Sequence, residues 1–264
     1  MRKVVIKFGT SSLTGGEEAP SSRHMVEYVR QIAAIHKEGS SIVLVSSGAI
    51  AAGRSLLPSK DTSIPTKQMQ AAVGQLSLIR LWDELFSYHK IRVAQILITK
   101  SDLEDPIRSA NARATLEALL ARNVIPIINE NDSVATEEIR SGDNDQLSAY
   151  IASLIEADQL FLLTDQEGLF TQDPRLHHDA KILKVIDIID EKILELATAS
   201  SSNHGTGGME TKLKAAAHAQ AHGIEVVIAS AFGKEVLLHL HAGKQIGTRF
   251  GIKNRRTSST SKEI

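Results

Sequence analysis

The sequence predicts an α/β protein with a mainly parallel, twisted sheet covered by helices on both faces. Two observations carry this. Short runs rich in Val, Ile and Leu alternate with stretches of helical periodicity along most of the chain. The runs also lack clean two-residue alternation, as strands buried on both faces should. A third observation places a ligand: glycines cluster after the first two runs and at the start of a late helix. In open α/β sheets those are the places where backbone N–H groups meet anions.

Taken in order, the candidate strands are Lys3–Phe8, Ile42–Ser46, Arg92–Thr99, Val124–Asn129, Gln159–Thr164 and Glu225–Ser230. The first helix stripe is Val26, Val29, Ile32 and Ala33, closed by Gly39. The second is Met69, Val73, Leu76 and Ile79. Leu147, Tyr150, Ile151, Leu154 and Ile155 form the third, and Met209, Leu213, Ala216 and Ala217 the fourth, ended by Gly223. There is no fixed-period repeat and no long linker. Residues 1–252 read as one domain, and 253–264, rich in Lys, Arg, Ser and Thr, as a polar tail expected to be disordered.

Composition removes several function classes. The chain of 264 residues has 30 Lys+Arg against 31 Asp+Glu, a net charge of −1. That balance argues against a protein dominated by nucleic-acid or anionic-membrane contacts. Aromatic residues are 4%, too few for a base-stacking surface. Cysteine is absent, which excludes disulfides, thiolate nucleophiles and cysteine metal sites. No apolar run reaches the roughly 18 residues of a membrane span. Lys7 interrupts the first apolar run too early for a signal core. The expectation is a soluble, cytoplasmic protein.

The glycine clusters are Gly9 to Gly16, Ser47-Gly48, and Gly205-Thr206-Gly207-Gly208. Together they indicate a phosphorylated ligand. The Walker pattern is missing, and the dinucleotide fingerprint fails because Glu210 stands at its third glycine and no strand directly precedes it. Lys7 lies two residues before Gly9, in an otherwise apolar strand; an edge-strand lysine is the competing reading. Lys212 sits in the first turn of its helix, where the dipole disfavours a cation unless an anion is near. The two lysines suggest a polyphosphate clamp. The acidic counterpart is Asn129-Glu130-Asn131-Asp132 and Gly142-Asp143-Asn144-Asp145. Helix capping would explain Asp143, with Gln146 three residues on, but neither Asn144 nor Asp145. Carboxylates and amides at a strand end suit a substrate with an ammonium group. The ten histidines carry no usable metal pattern: His218 and His222 lack a zincin glutamate, and His239 and His241 read as one strand face. No metal ligands are assigned.

These motifs, with Ser47-Gly48-Ala49-Ile50-Ala51-Ala52-Gly53, Leu163-Thr164-Asp165 and Gly205-Thr206-Gly207-Gly208-Met209, resemble the bacterial glutamate 5-kinases of the amino-acid kinase superfamily. The resemblance runs in order from about residue 1 to 250. It implies a three-layer α/β/α sandwich around a mainly parallel sheet of about eight strands. It also implies ATP-dependent phosphorylation of the γ-carboxylate of L-glutamate, the first step of proline biosynthesis, with Mg2+ carried by ATP. Carried over by motif, Lys7 and Lys212 flank the transferred phosphoryl group and Asp145 orients them. Ser47, Asp132 and Asn144 bind glutamate. Lys7, Gly9, Thr164, Asp165, Thr206, Gly207, Gly208, Met209, Glu210, Thr211 and Lys212 hold ATP. The resemblance further implies a homo-oligomer, a dimer or tetramer, and functional coupling to glutamate-5-semialdehyde dehydrogenase, because the acyl phosphate product is reactive. L-proline is expected as a feedback inhibitor, with the loop from Val134 to Asp143 as the element that differs between bound states. Two features depart from the pattern: the chain stops before the C-terminal PUA domain of many bacterial relatives, and Phe170 stands where Tyr is frequent.

Overall fold

The computed structural model describes residues 1–135, 144–199 and 208–251. Strands β1 (Lys3–Phe8), β2 (Ser41–Ser46), β3 (Val93–Ile98), β4 (Ile125–Glu130), β5 (Gln159–Thr164), β6 (Val185–Ile186), β7 (Glu225–Ser230) and β8 (Thr248–Phe250) form one sheet. Its order is β3-β4-β2-β1-β5-β7-β8-β6. The strand pairings are parallel apart from the antiparallel β7–β8 pair. All six expected strands are present, with ends shifted by about one residue. The two unforeseen strands, β6 and β8, span two and three residues, too short to show any periodicity.

The helices are α1 (Thr10–Thr14), α2 (Ser22–Lys37), α3 (Ala49–Leu56), α4 (Ile64–Ser87), α5 (Lys100–Glu104), α6 (Pro106–Leu120), α7 (Asn144–Leu154), α8 (Glu191–Ala199), α9 (Met209–Ala221) and α10 (Val236–His241). Alternate strand residues point to opposite layers. Val4, Ile6 and Phe8 of β1 pack with Met25, Ile32, Trp82, Phe86 and Leu237 from α2, α4 and α10. Val5, Val43, Leu160 and Leu162 pack with Leu116, Leu147, Ile151 and Leu213 from α6, α7 and α9. Two separate cores flanking one sheet make the three-layer sandwich.

β1 lies between β2 and β5, with Lys7 in register with Val45 and Leu162. The chain first builds outward from β1 to β2, then returns to its other side at β5. Lys7 and Gly9 therefore stand at the switch point, where open α/β sheets leave a crevice at the strand carboxyl ends. The edge-strand reading of Lys7 is thereby overturned: its strand is central and the residue is 4% exposed.

Four other expectations are corrected. β3 is an edge strand, and it is only partly covered, with Leu97 exposed. His239 and His241 lie on α10, a helix rather than a strand. The stripe on α4 is inverted: Met69, Val73 and Leu76 are exposed, while the helix buries Gln70, Ala71, Gly74, Gln75, Leu78, Trp82, Leu85 and Phe86. The reason lies in the neighbour. α3 approaches so closely that a Cβ on Gly74 would stand 1.9 Å from the Ala49 carbonyl oxygen, and one on Gly53 would stand 1.8 Å from that of Gln70. Only small residues fit such a contact, so hydrophobicity does not mark the buried face. On α2, Val26 is likewise exposed, and Met25, Tyr28, Val29 and Ile32 face the core.

Candidate active site

The site is assembled from four strand ends and two helix starts. β1 delivers Lys7, and Gly9 follows with no side chain to crowd it; a Cβ at Gly9 would sit 3.6 Å from the Lys7 ammonium. α7 begins with Asn144 and Asp145, and α9 with Met209, Glu210, Thr211 and Lys212. Asp145 Oδ1 lies 2.5 Å from Lys7 Nζ, and its Oδ2 lies 3.2 Å from Lys212 Nζ. Thr211 Oγ1 donates to the same Oδ2 at 2.8 Å. The three charged residues are 4%, 1% and 5% exposed for Lys7, Asp145 and Lys212, so water screens them little. Burial pushes the Asp145 carboxyl up, but Lys7 and Lys212, with the hydrogen bonds from Lys7 and Thr211, outweigh it and hold the group ionised well below the usual carboxylate range. The two ammonium groups thus share one carboxylate. The dipole conflict expected at Lys212 is resolved by Asp145, itself favourably placed in the first turn of α7.

Beside this triad runs a chain of side-chain amides. Asn144 Nδ2 donates to Ser47 Oγ at 2.8 Å and to Asn129 Oδ1 at 2.9 Å. Asn129 Nδ2 in turn donates to Gln75 Oε1 at 2.7 Å. Ser47 follows β2, and Gly48 beyond it has φ of 103°, a left-handed turn that opens α3. Asp132 lies half-buried just past β4. Its loop is tied down by Asn131 N donating to Ile98 O, and by Gln68 Nε2 donating to the Ser133 and Ala135 carbonyls.

On the other flank, Thr164 ends β5 buried and donates through Oγ1 to Asp165 Oδ1 at 2.9 Å, with Asp165 exposed. Gly208 caps α9 without a side-chain hydrogen bond, and no described atom lies within 4 Å of the Cβ it lacks. The Glu210 carboxylate pairs with Lys214 one turn on. Phe170 and Met209 line a small hollow with Gln166, Leu169 and Asp173. Of the expected residues, Lys7, Asp145, Lys212 and Thr211 are joined directly, as are Ser47 and Asn144. Thr206 and Gly207 lie outside the described residues, as do Gly205, Asp143, most of the loop from Val134 to Asp143, and the tail 253–264. Two participants were not assigned from sequence: Asn129, visible only as part of a motif, and Gln75, inside a helix with no local signal at all.

Two buried lysines sharing a carboxylate, beside a row of amides, thus stand at the switch point of a parallel sheet, the place where folds of this class bind their ligands. The amino acid kinase family matches residues 2–230, and the chain belongs to that family. Within it the similarity is to glutamate 5-kinases. The glutamate 5-kinase of Pasteurella multocida (strain Pm70) is 49% identical over 260 residues, covering 98% of this chain and 71% of that protein. That of Haemophilus influenzae (strain PittGG) is 50% identical over 251 residues, covering 94% and 68%. That of Shewanella oneidensis is 52% identical over 251 residues, with the same coverage.

Proposed function

We propose that this chain transfers the γ-phosphoryl group of ATP to the γ-carboxylate of L-glutamate, releasing ADP and L-glutamyl 5-phosphate as the first step of proline biosynthesis. The observation that supports the reading is the Lys7–Asp145–Lys212 triad: two buried ammonium groups held in place by one buried carboxylate. The nucleophile, a carboxylate, is already ionised near neutral pH, so no general base is required. The need is in-line placement and neutralisation of charge on the transferred oxygens. Lys7 and Lys212 supply the second, and Asp145 with Thr211 keeps both lysines in place.

Ser47, Asp132 and Asn144 are assigned to glutamate. Gly9, Thr164, Asp165 and the segment from Thr206 to Lys212 are assigned to ATP, whose phosphates would meet the N–H groups that open α9. The Asp145 carboxylate is engaged by two cations. The Mg2+ of kinase chemistry would come in on the phosphates of ATP. L-proline, with the same α-carboxylate and a cationic nitrogen but no γ-carboxylate, would occupy the glutamate site without reacting. Among the described residues no helix is long and apolar enough to cross a membrane. Prompt use of the acyl phosphate by a following reductase, glutamate-5-semialdehyde dehydrogenase, fits its reactivity.

The test is ADP release with L-glutamate, N-acetylglutamate, carbamate and UMP as acceptors. L-glutamate should be the best by a wide margin, and a better acceptor among the others would overturn the assignment. In the same assay, proline at millimolar concentration should inhibit at sub-saturating glutamate, and added glutamate should relieve it.

A further inference from the structure

We infer that Gln75, on α4 and linked to Asn144 through Asn129, is a positioning residue that decides which end of the Asn144 amide faces the substrate's amino group. The inference rests on the glutamate reading above. A side-chain amide has a donor end and an acceptor end, and each link in a chain of amides dictates the orientation of the next. Here both Nδ2 protons of Asn144 are used, on Ser47 Oγ and Asn129 Oδ1. Its Oδ1 is buried and has no hydrogen-bond partner among the described residues. An acceptor of that kind is costly unless a ligand donor meets it. The only donor that glutamate carries, with both carboxylates ionised, is its α-ammonium group. Ser47 Oγ, accepting from Asn144, keeps its own proton to give to a substrate carboxylate.

This polarity depends on Asn129, which is 2% exposed and must present Oδ1 toward Asn144. The Glu130 backbone N–H donates to the same Oδ1 at 2.9 Å. The opposite end, Nδ2, has its acceptor in Gln75 Oε1 at 2.7 Å. If that acceptor is removed, Asn129 is left with a buried, unmet donor and no access to water. Rotation of Asn129 to satisfy that donor would release Asn144. A turned Asn144 would then direct N–H groups at an ammonium. Gln75 is held at this depth by the close packing of α4 on α3 at Gly74, the residue before it.

The experiment compares wild type with Gln75→Met, which keeps the volume and loses the acceptor, and Gln75→Glu, which keeps an acceptor. KM for L-glutamate, kcat, KM for ATP and the Ki of glutarate, which lacks the amino group, are measured for each. Gln75→Met should raise KM for L-glutamate about tenfold, the order of one buried hydrogen bond. It should leave the Ki of glutarate and KM for ATP within about twofold of wild type. Gln75→Glu should restore most of the glutamate affinity. The inference is overturned if glutarate weakens in step with glutamate, if Gln75→Met binds glutamate normally, or if the Glu variant is as defective as the Met variant. Wild-type protein that fails to turn over L-glutamate overturns the proposed reaction together with this inference; wild-type turnover with any of the other three outcomes overturns the inference alone.

Discussion

At the residue scale, Asp145 has two jobs that substitution separates. It positions Lys7 and Lys212, and it neutralises charge that burial would otherwise make expensive. Asp145→Asn leaves two buried ammonium groups without their carboxylate and should destabilise the fold by about 3–5 kcal/mol, read by urea unfolding. The pH dependence has a definite sign. The folded-state carboxyl is held below its ordinary value of 3.8, so its contribution is complete above that value and is lost as pH falls through the lower folded value. The stability gap between wild type and Asp145→Asn should therefore stay constant from about pH 8 to 5 and narrow only in stronger acid. A gap that closes at pH 6 would contradict an ionised, clamped Asp145. Lys7→Ala and Lys212→Ala act on the reaction instead. Each should lower kcat about 10²–10³-fold with a much smaller change in KM, because their charge matters most as the phosphoryl group transfers. Near-normal turnover in either would remove the clamp from the mechanism.

At the scale of elements, the α3–α4 contact links core packing to the site. Ser47 and Gly48 lead into α3, Gln75 sits on α4, and the two helices meet through Gly53 and Gly74. Gly74→Ala places a methyl group 1.9 Å from the Ala49 carbonyl oxygen and 2.3 Å from the Gly53 nitrogen, both backbone atoms that cannot turn aside. Separation of the helices should cost about 3 kcal/mol or more in urea unfolding. It should also raise KM for glutamate, because Gln75 moves with its helix. Gly39→Ala is a control for loss of stability alone. Unlike the helical Gly74 it lies at a positive φ of 93°, and nothing described stands within 4 Å of its missing Cβ, so it should lose stability through backbone strain without changing KM.

At the scale of the whole molecule, Met69, Val73 and Leu76 leave an apolar stripe on α4 exposed, with Leu97 on the edge strand β3 exposed as well. Leu76 is 72% exposed and Trp82, on the core-facing side of the same helix, is fully buried. Leu76→Asp should therefore stay within about 0.5 kcal/mol of wild type in urea unfolding, whereas Trp82→Ala should lose about 3–5 kcal/mol. A Leu76→Asp variant destabilised as strongly as Trp82→Ala would contradict this orientation of α4.

Much of this architecture was legible in the chain. Five buried strands announce themselves because a strand covered on both faces must be apolar throughout, and Lys7, Asp145 and Lys212 stand out because each is a charge where local pattern calls for none. The motif order also carried the family. Local sequence holds such information because burial of a strand and the chemistry of a glycine turn act over a few residues. Tertiary structure decided the rest. It put β1 at the sheet centre, exposed the stripe on α4 that periodicity assigns to the core, and ran an amide chain from Gln75 through Asn129 and Asn144 to Ser47. Those outcomes depend on which surfaces meet across the fold. The orientation of an amide is set by partners 15 to 97 residues distant in sequence, a relation that no local pattern records.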